Sequence, residues 1–111
     1  MSFRDEWEHD PSVQMMRKIF SQMEKVQEEL LRDLKISPFD QRLRDGRKYG
    51  RELFERLWPI ATRQGIVVGE RDAALLYVHC LAHALCQRGV EAPTRVSEKD
   101  EKIARFLKER L

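Results

Sequence analysis

Apolar and charged positions alternate with a helical period along most of this chain, and one stretch breaks the alternation. Glu70 to Arg88, ERDAALLYVHCLAHALCQR, carries no charge between Ala73 and Cys86. On a helix each residue advances about 100°. With His79 at zero, Asp72, His83 and Cys86 fall within roughly 40° of it, whereas Tyr77, Leu81 and Ala84 lie opposite. A helix apolar nearly all round is a buried one, and this one is shorter than the ~20 residues a bilayer span needs. The pattern therefore predicts a central core helix over 70–88 whose histidine edge faces a seam, a cleft or a partner. Gly69 can cap its start, and Glu70 and Asp72 place negative charge in the first turn. Arg88 in the last turn, Gly89 in the left-handed position and Pro93 beyond mark its end.

The flanking segments are amphipathic. Asp10-Pro11 is a helix-start signal, with Asp10 as N-cap and Pro11 at the first helical position. Met16, Phe20, Met23, Gln27, Leu30 and Leu34 then follow a 4-3-4-3-4 rhythm, widened by Ile19, Val26 and Leu31. This predicts a long N-terminal helix over 11–35, its stripe interrupted at Gln27 and its end set by Ser37-Pro38. A second helix is expected from Pro38 or Phe39 to Gln64, with Gly65 after it. Leu43, Gly46, Gly50, Leu53, Leu57 and Ile60 keep the rhythm, so the helix is expected to run through both glycines. Each costs about 1 kcal/mol against alanine, and each would let a neighbouring backbone come close. Pro59 should bend it. Ile66-Val67-Val68 reads as an extended connector packed into the bundle. Ser97-Glu98-Lys99-Asp100 resembles a capping box opening a last helix to Leu111.

These elements imply an all-α, four-helix bundle-like single domain over 11–111, mostly antiparallel, after a charged lead-in over 1–10 that holds Phe3 and Trp7. The composition agrees: 36% charged, 41% hydrophobic, with 5 glycines and 4 prolines in 111 residues. A net charge of +2 does not by itself announce a polyanionic partner. The first ten residues have no apolar run of the secretory kind, and no segment is long enough for a membrane. Cys80 and Cys86 sit about 120° apart on one helix and cannot bridge there. Reduced thiols and a cytoplasmic location are expected.

Three features carry candidate chemistry. His79 and His83, four residues apart, could both reach one metal ion such as zinc or copper, with Cys86 one turn further on. His79 and Cys86 are about 10.5 Å apart along the axis, however. The pattern also lacks the glutamate of HExxH and has no CxxC. Hydrogen-bonded histidines beside core cysteines are the commoner meaning of such an edge. The second feature is a basic strip, Arg42, Arg44, Arg47, Lys48, Arg51 and Arg56, around Tyr49. Arg44, Arg47, Lys48 and Arg51 would be the residues to meet a nucleic-acid backbone. The interleaved Asp45, Glu52 and Glu55 suit intrahelical salt bridges instead. The third is the apolar face of the first helix, where Met16, Phe20, Met23 and Leu30 could meet a protein partner or a second copy.

Neither a phosphate-binding glycine loop nor a nucleophile with a positioned base is visible, so no enzyme is expected. The expectation is a small cytoplasmic interaction or assembly protein, self-associating as a homodimer or acting as an adaptor subunit of a larger complex. The alternatives are a metal- or redox-responsive regulator using His79, His83 and Cys86, and a nucleic-acid accessory protein using the strip over 42–56.

Overall fold

The computed structural model describes residues 11–35, 37, 39–91 and 97–111, apart from the side chains of residues 11–13, 15 and 16. Regular structure among them is entirely α-helical: α1 (Pro11–Leu34), α2 (Gln41–Arg63), α3 (Gly69–Cys86) and α4 (Glu98–Arg110). The all-α, four-helix expectation holds. The lead-in over 1–10, with Phe3, Trp7 and the expected cap Asp10, lies outside the described residues, as do residues 92–96.

Local chemistry sets most helix ends where the residues predict them. Pro11 opens α1, and Lys35 leaves it at a φ of 53°. Gly65 and Gly89 take φ values of 72° and 79°. Each terminates its helix with a pair of backbone bonds. Gly65 N–H donates to Thr62 O and Ile66 N–H to Ala61 O; Gly89 N–H donates to Cys86 O and Val90 N–H to Leu85 O. Ser97 and Asp100 form the complete capping box of α4. Two starts differ from expectation. α2 begins at Gln41 rather than at Pro38 or Phe39, because the Asp40 carboxylate accepts the Arg42 N–H at 2.9 Å and pairs with the Arg42 guanidinium at 2.8 Å. α3 begins with Gly69 as its first residue, not its cap; the cap position is Val68, whose N–H donates to Asp72 Oδ2 at 2.8 Å.

α3 is the axis of the bundle and packs against each of the other three helices. Its apolar residues are buried all round: Leu76, Cys80, Leu81 and Leu85 are fully enclosed and Tyr77 nearly so. α1 supplies Ile19, Met23 and Leu30 to this core, α2 supplies Leu43, Phe54, Leu57 and Ala61, and α4 supplies Ile103, Phe106 and Leu107. Burying one such large side chain contributes about 1.5–3 kcal/mol. From the connector, Val67 is buried whereas Val68 is 70% exposed. Val67 alone therefore packs fully, and the connector serves mainly as a tight link between α2 and α3.

α2 is continuous through Gly46 and Gly50, and both are buried. A Cβ on Gly50 would lie 2.9 Å from the Leu81 Cα; one on Gly46 would lie 2.5 Å from Leu85 Cδ2. The missing side chains are what let α2 and α3 approach. The pairing of 46 with 85 and 50 with 81, together with Phe54 edge-on to Tyr77 at 5.8 Å, shows that α2 and α3 run antiparallel. α4 departs from that pattern. Its Lys99 and Asp100 meet Asp72 and His79, while Ala104, Leu107 and Leu111 share a cleft with His83 and Cys86. α4 thus advances in the same direction as α3, which the long connection over 87–97 permits. Gln27, the polar interruption in the α1 stripe, accepts a hydrogen bond from the Tyr77 hydroxyl at 2.5 Å.

Candidate functional site

The histidine edge of α3 looks out between α3 and α4. A cleft of about 630 Å³ opens there, lined by His79, Ala82, His83, Cys86 and Glu91 on one side and Ala104, Leu107, Lys108 and Leu111 on the other. The spacing of residues 79, 82, 83 and 86 places all four on one face of α3. Residues 104, 107, 108 and 111 do the same for α4. Alanine at 82 and 104 leaves the space between the helices unfilled.

Beside the cleft, His79 Nε2 lies 2.8 Å from Asp100 Oδ1, and both residues are buried. Asp100 is held from several directions. Its other oxygen accepts the Ser97 hydroxyl at 2.6 Å and the Ser97 N–H at 3.1 Å. Burial pushes the Asp100 carboxyl up, but the bonds from Ser97 and His79 outweigh it and hold it below the ordinary carboxylate range. A carboxylate at Nε2 favours the ring tautomer that carries its proton there. No described residue bonds the other ring nitrogen, and no buried side-chain polar atom among the described residues lacks a partner. His79 Nδ1 therefore reaches solvent at the cleft wall. Lys99 bridges the same pair of helices further back, donating to Ile66 O at 3.1 Å and lying 3.2 Å from Asp72 Oδ2.

The three residues named from spacing, His79, His83 and Cys86, thus do line one cleft. They do not form a metal centre. Among the described residues no group of three or more His, Cys, Asp or Glu side chains is placed to hold an ion. One reason is that His79 has turned its Nε2 to Asp100. The two thiols are also unlike each other. Cys80 is fully buried and its pKa is pushed up to about 12 by that burial, so it is a core thiol. Cys86 is exposed at the cleft.

The face of α1 is not the open surface that its pattern suggests. Met23 and Leu30 are 3% and 6% exposed and belong to the core against α3. They offer little to a partner, because α3 has already covered them. Phe20 is half-buried with the Arg51 guanidinium 5.1 Å over its ring. The Met16 side chain lies outside the described residues. In the basic strip, Arg42 is engaged by Asp40. Arg44 is exposed. Arg47, Lys48 and Arg51 line a second cleft, of about 330 Å³, between α2 and α1. Tyr49 lies outside it, with Arg88 stacked 4.4 Å over its ring.

Residue periodicity did not single out Asp100 as a site residue, nor Glu91, Ala104, Leu107 and Lys108. Asp100 left a signal all the same. A capping box places its third residue at the start of the helix with one carboxylate oxygen free, and the histidine edge needed an acceptor. No protein-family model, curated protein or solved structure matches this chain.

Proposed function

We propose that the chain is a small helical interaction protein that takes an apolar segment of a protein partner, or of a second copy of itself, into the α3–α4 cleft. The observation that carries this reading is the pair of alanines, Ala82 and Ala104. They leave an apolar recess beside Leu107 and Leu111, with His79, His83 and Lys108 placed to bond the polar groups of whatever enters. Leu111 at its mouth is 54% exposed. An enzymatic reading has less behind it. His79 is oriented by Asp100, but the cysteine of the same cleft lies two turns along the helix, beyond direct proton transfer. Among the described residues no helix is long and apolar enough to cross a membrane. Both cysteines are unpaired, which favours the reducing cytoplasm as the place of action.

Ala104 is exposed on α4, so Ala104→Trp fills the recess from its outer wall without entering the core. Light scattering across a concentration series reports self-association, and capture from native lysate reports another partner. The expected result is a dimer or a retained protein with wild type, lost on Ala104→Trp while the unfolding midpoint is unchanged. A monomer that retains nothing, or a complex that survives the tryptophan, removes the reading.

A further inference from the structure

The cleft between α1 and α2 has a different chemistry from the one between α3 and α4. It is walled by Phe20, Met23 and Gln27 from α1, by Arg47, Lys48 and Arg51 from α2, and by Tyr77 from the axis helix, with Glu24 as its one carboxylate among the described residues. Arg47 and Arg51, four residues apart, share one face of α2, and Lys48, three residues before Arg51, borders it. Among the described residues none of the three has a carboxylate within ion-pair distance, although Arg42 and Lys99 each have one. Arg51 is steadied by the Phe20 ring, 5.1 Å beneath its guanidinium.

Gln27 adds a neutral donor. Its carbonyl oxygen is taken by the Tyr77 hydroxyl at 2.5 Å, which orients the amide. Its NH₂ group then has no acceptor among the described residues, and since no buried polar side-chain atom among them lacks a partner, it reaches the solvent of the cleft. The cleft thus presents two guanidinium groups and an amide NH₂, with Lys48 at its edge and the Lys48 ammonium 5.8 Å over the Tyr49 ring, against one carboxylate among the described residues. A set of neighbouring donors with excess positive charge, without a carboxylate at ion-pair distance among the described residues, is complementary to a compact polyatomic anion.

We propose that this cleft binds the phosphate group of a small phosphorylated molecule, with Arg47, Lys48 and Arg51 contacting the oxygens, Gln27 donating a further bond, and the half-buried Phe20 receiving the apolar part. A volume of about 330 Å³ suits a ligand at the small end of the usual range. A nucleic-acid backbone suits the site less well. Glu24, Glu28 and Glu29 are exposed along α1, and Glu52 and Glu55 are exposed along α2. A long polyanion lying across the cleft would meet them, whereas a single phosphate sits between the cations.

The test is isothermal titration of the full chain with pyrophosphate, with phenyl phosphate, and with a single-stranded oligonucleotide, at constant ionic strength. Saturable binding of pyrophosphate and phenyl phosphate at micromolar to low-millimolar concentration is expected. Arg47→Gln and Lys48→Gln should each weaken it by about tenfold, and Arg105→Gln on α4 should leave it unchanged. The unfolding midpoint of each variant, measured alongside, separates lost binding from lost fold. Gln27→Glu, which places a carboxylate among the oxygens, should abolish binding. The proposal is overturned if neither phosphate probe saturates, if folded Arg47→Gln and Lys48→Gln bind as wild type does, or if only the oligonucleotide binds.

Discussion

Replacing Gly50 by alanine sets helix propensity against packing, and the two predict opposite signs. In an exposed helix interior the change is worth about 1 kcal/mol in favour of alanine. Here the new Cβ would stand 2.9 Å from the Leu81 Cα and 3.2 Å from the Leu81 nitrogen. Carbon atoms rest at about 3.5–4.0 Å, so a gap of roughly 0.6 Å or more must be found. Both obstacles are backbone, and no rotamer change can supply it. α2 and α3 must move apart, which loosens the contacts of Phe54, Leu57, Leu76 and Leu81 in the core. Overpacking of this kind costs about 1–3 kcal/mol, and the upper end applies because a whole helix moves. The expected net effect of Gly50→Ala is a loss of about 2 kcal/mol, or roughly 8 °C in Tm for a domain of this size.

Urea unfolding followed by far-UV circular dichroism measures this directly, with Gly46→Ala and Gly65→Ala as companions. At position 46 the nearest atoms belong to the Leu85 side chain, at 2.5 Å and 3.1 Å. Leu85 is fully buried and yields only partly, so the loss should be smaller, about 1 kcal/mol. Gly65 has open space but a φ of 72°, so alanine there meets backbone strain of about 1 kcal/mol and no clash. The argument fails if Gly50→Ala is as stable as wild type or more so, since propensity would then have won and the backbones would not be in contact.

Gln27→Leu completes the apolar stripe of α1, yet should destabilise by about 1–3 kcal/mol, because the Tyr77 hydroxyl loses its acceptor. In a Tyr77→Phe background the same change should be close to neutral, and a double-mutant cycle in urea reads the difference. Asp100 titrates below its ordinary value in the folded chain. Its contribution is therefore fully present above the unfolded carboxylate value of about 3.9 and is lost as pH falls through the lower folded value. The stability advantage of wild type over Asp100→Asn should accordingly shrink as pH falls below about 4; an advantage undiminished in acid would contradict it. A thiol reagent should modify Cys86 rapidly in native protein. Cys80, buried and with its pKa pushed up to about 12, should react only after unfolding, and peptide mapping distinguishes the two.

The parts of this fold that can be read along the chain are those whose causes lie within a few residues. Gly65 and Gly89 end helices because only glycine takes a positive φ without strain. Ser97 and Asp100 close a capping box with atoms three residues apart. The uncharged run from Ala73 to Cys86 announces a helix buried on every side, since charge could not be left there. His79, His83 and Cys86 share a face because helical geometry puts them there. The start of α2 at Gln41 rather than at Pro38 or Phe39 has an equally local cause, the Asp40 carboxylate that caps the chain.

What tertiary structure decided involves partners far apart in sequence. The periodicity of α1 marks Met23 and Leu30 as apolar without saying what covers them, and α3 covers them. Gln27 reads as a flaw in a stripe until Tyr77, 50 residues away, meets it. His79 could as well have been a metal ligand; the course of α4 brings Asp100 to its Nε2 and makes it one half of a buried pair. Arg47, Lys48 and Arg51 are a solvated strip on α2 alone and become the wall of a cleft when α1 lies opposite. Composition and spacing specify which face a residue occupies, because that depends on the backbone it belongs to. Which surface meets that face depends on the direction in which the chain returns, and this is set by the simultaneous packing of all four helices around α3.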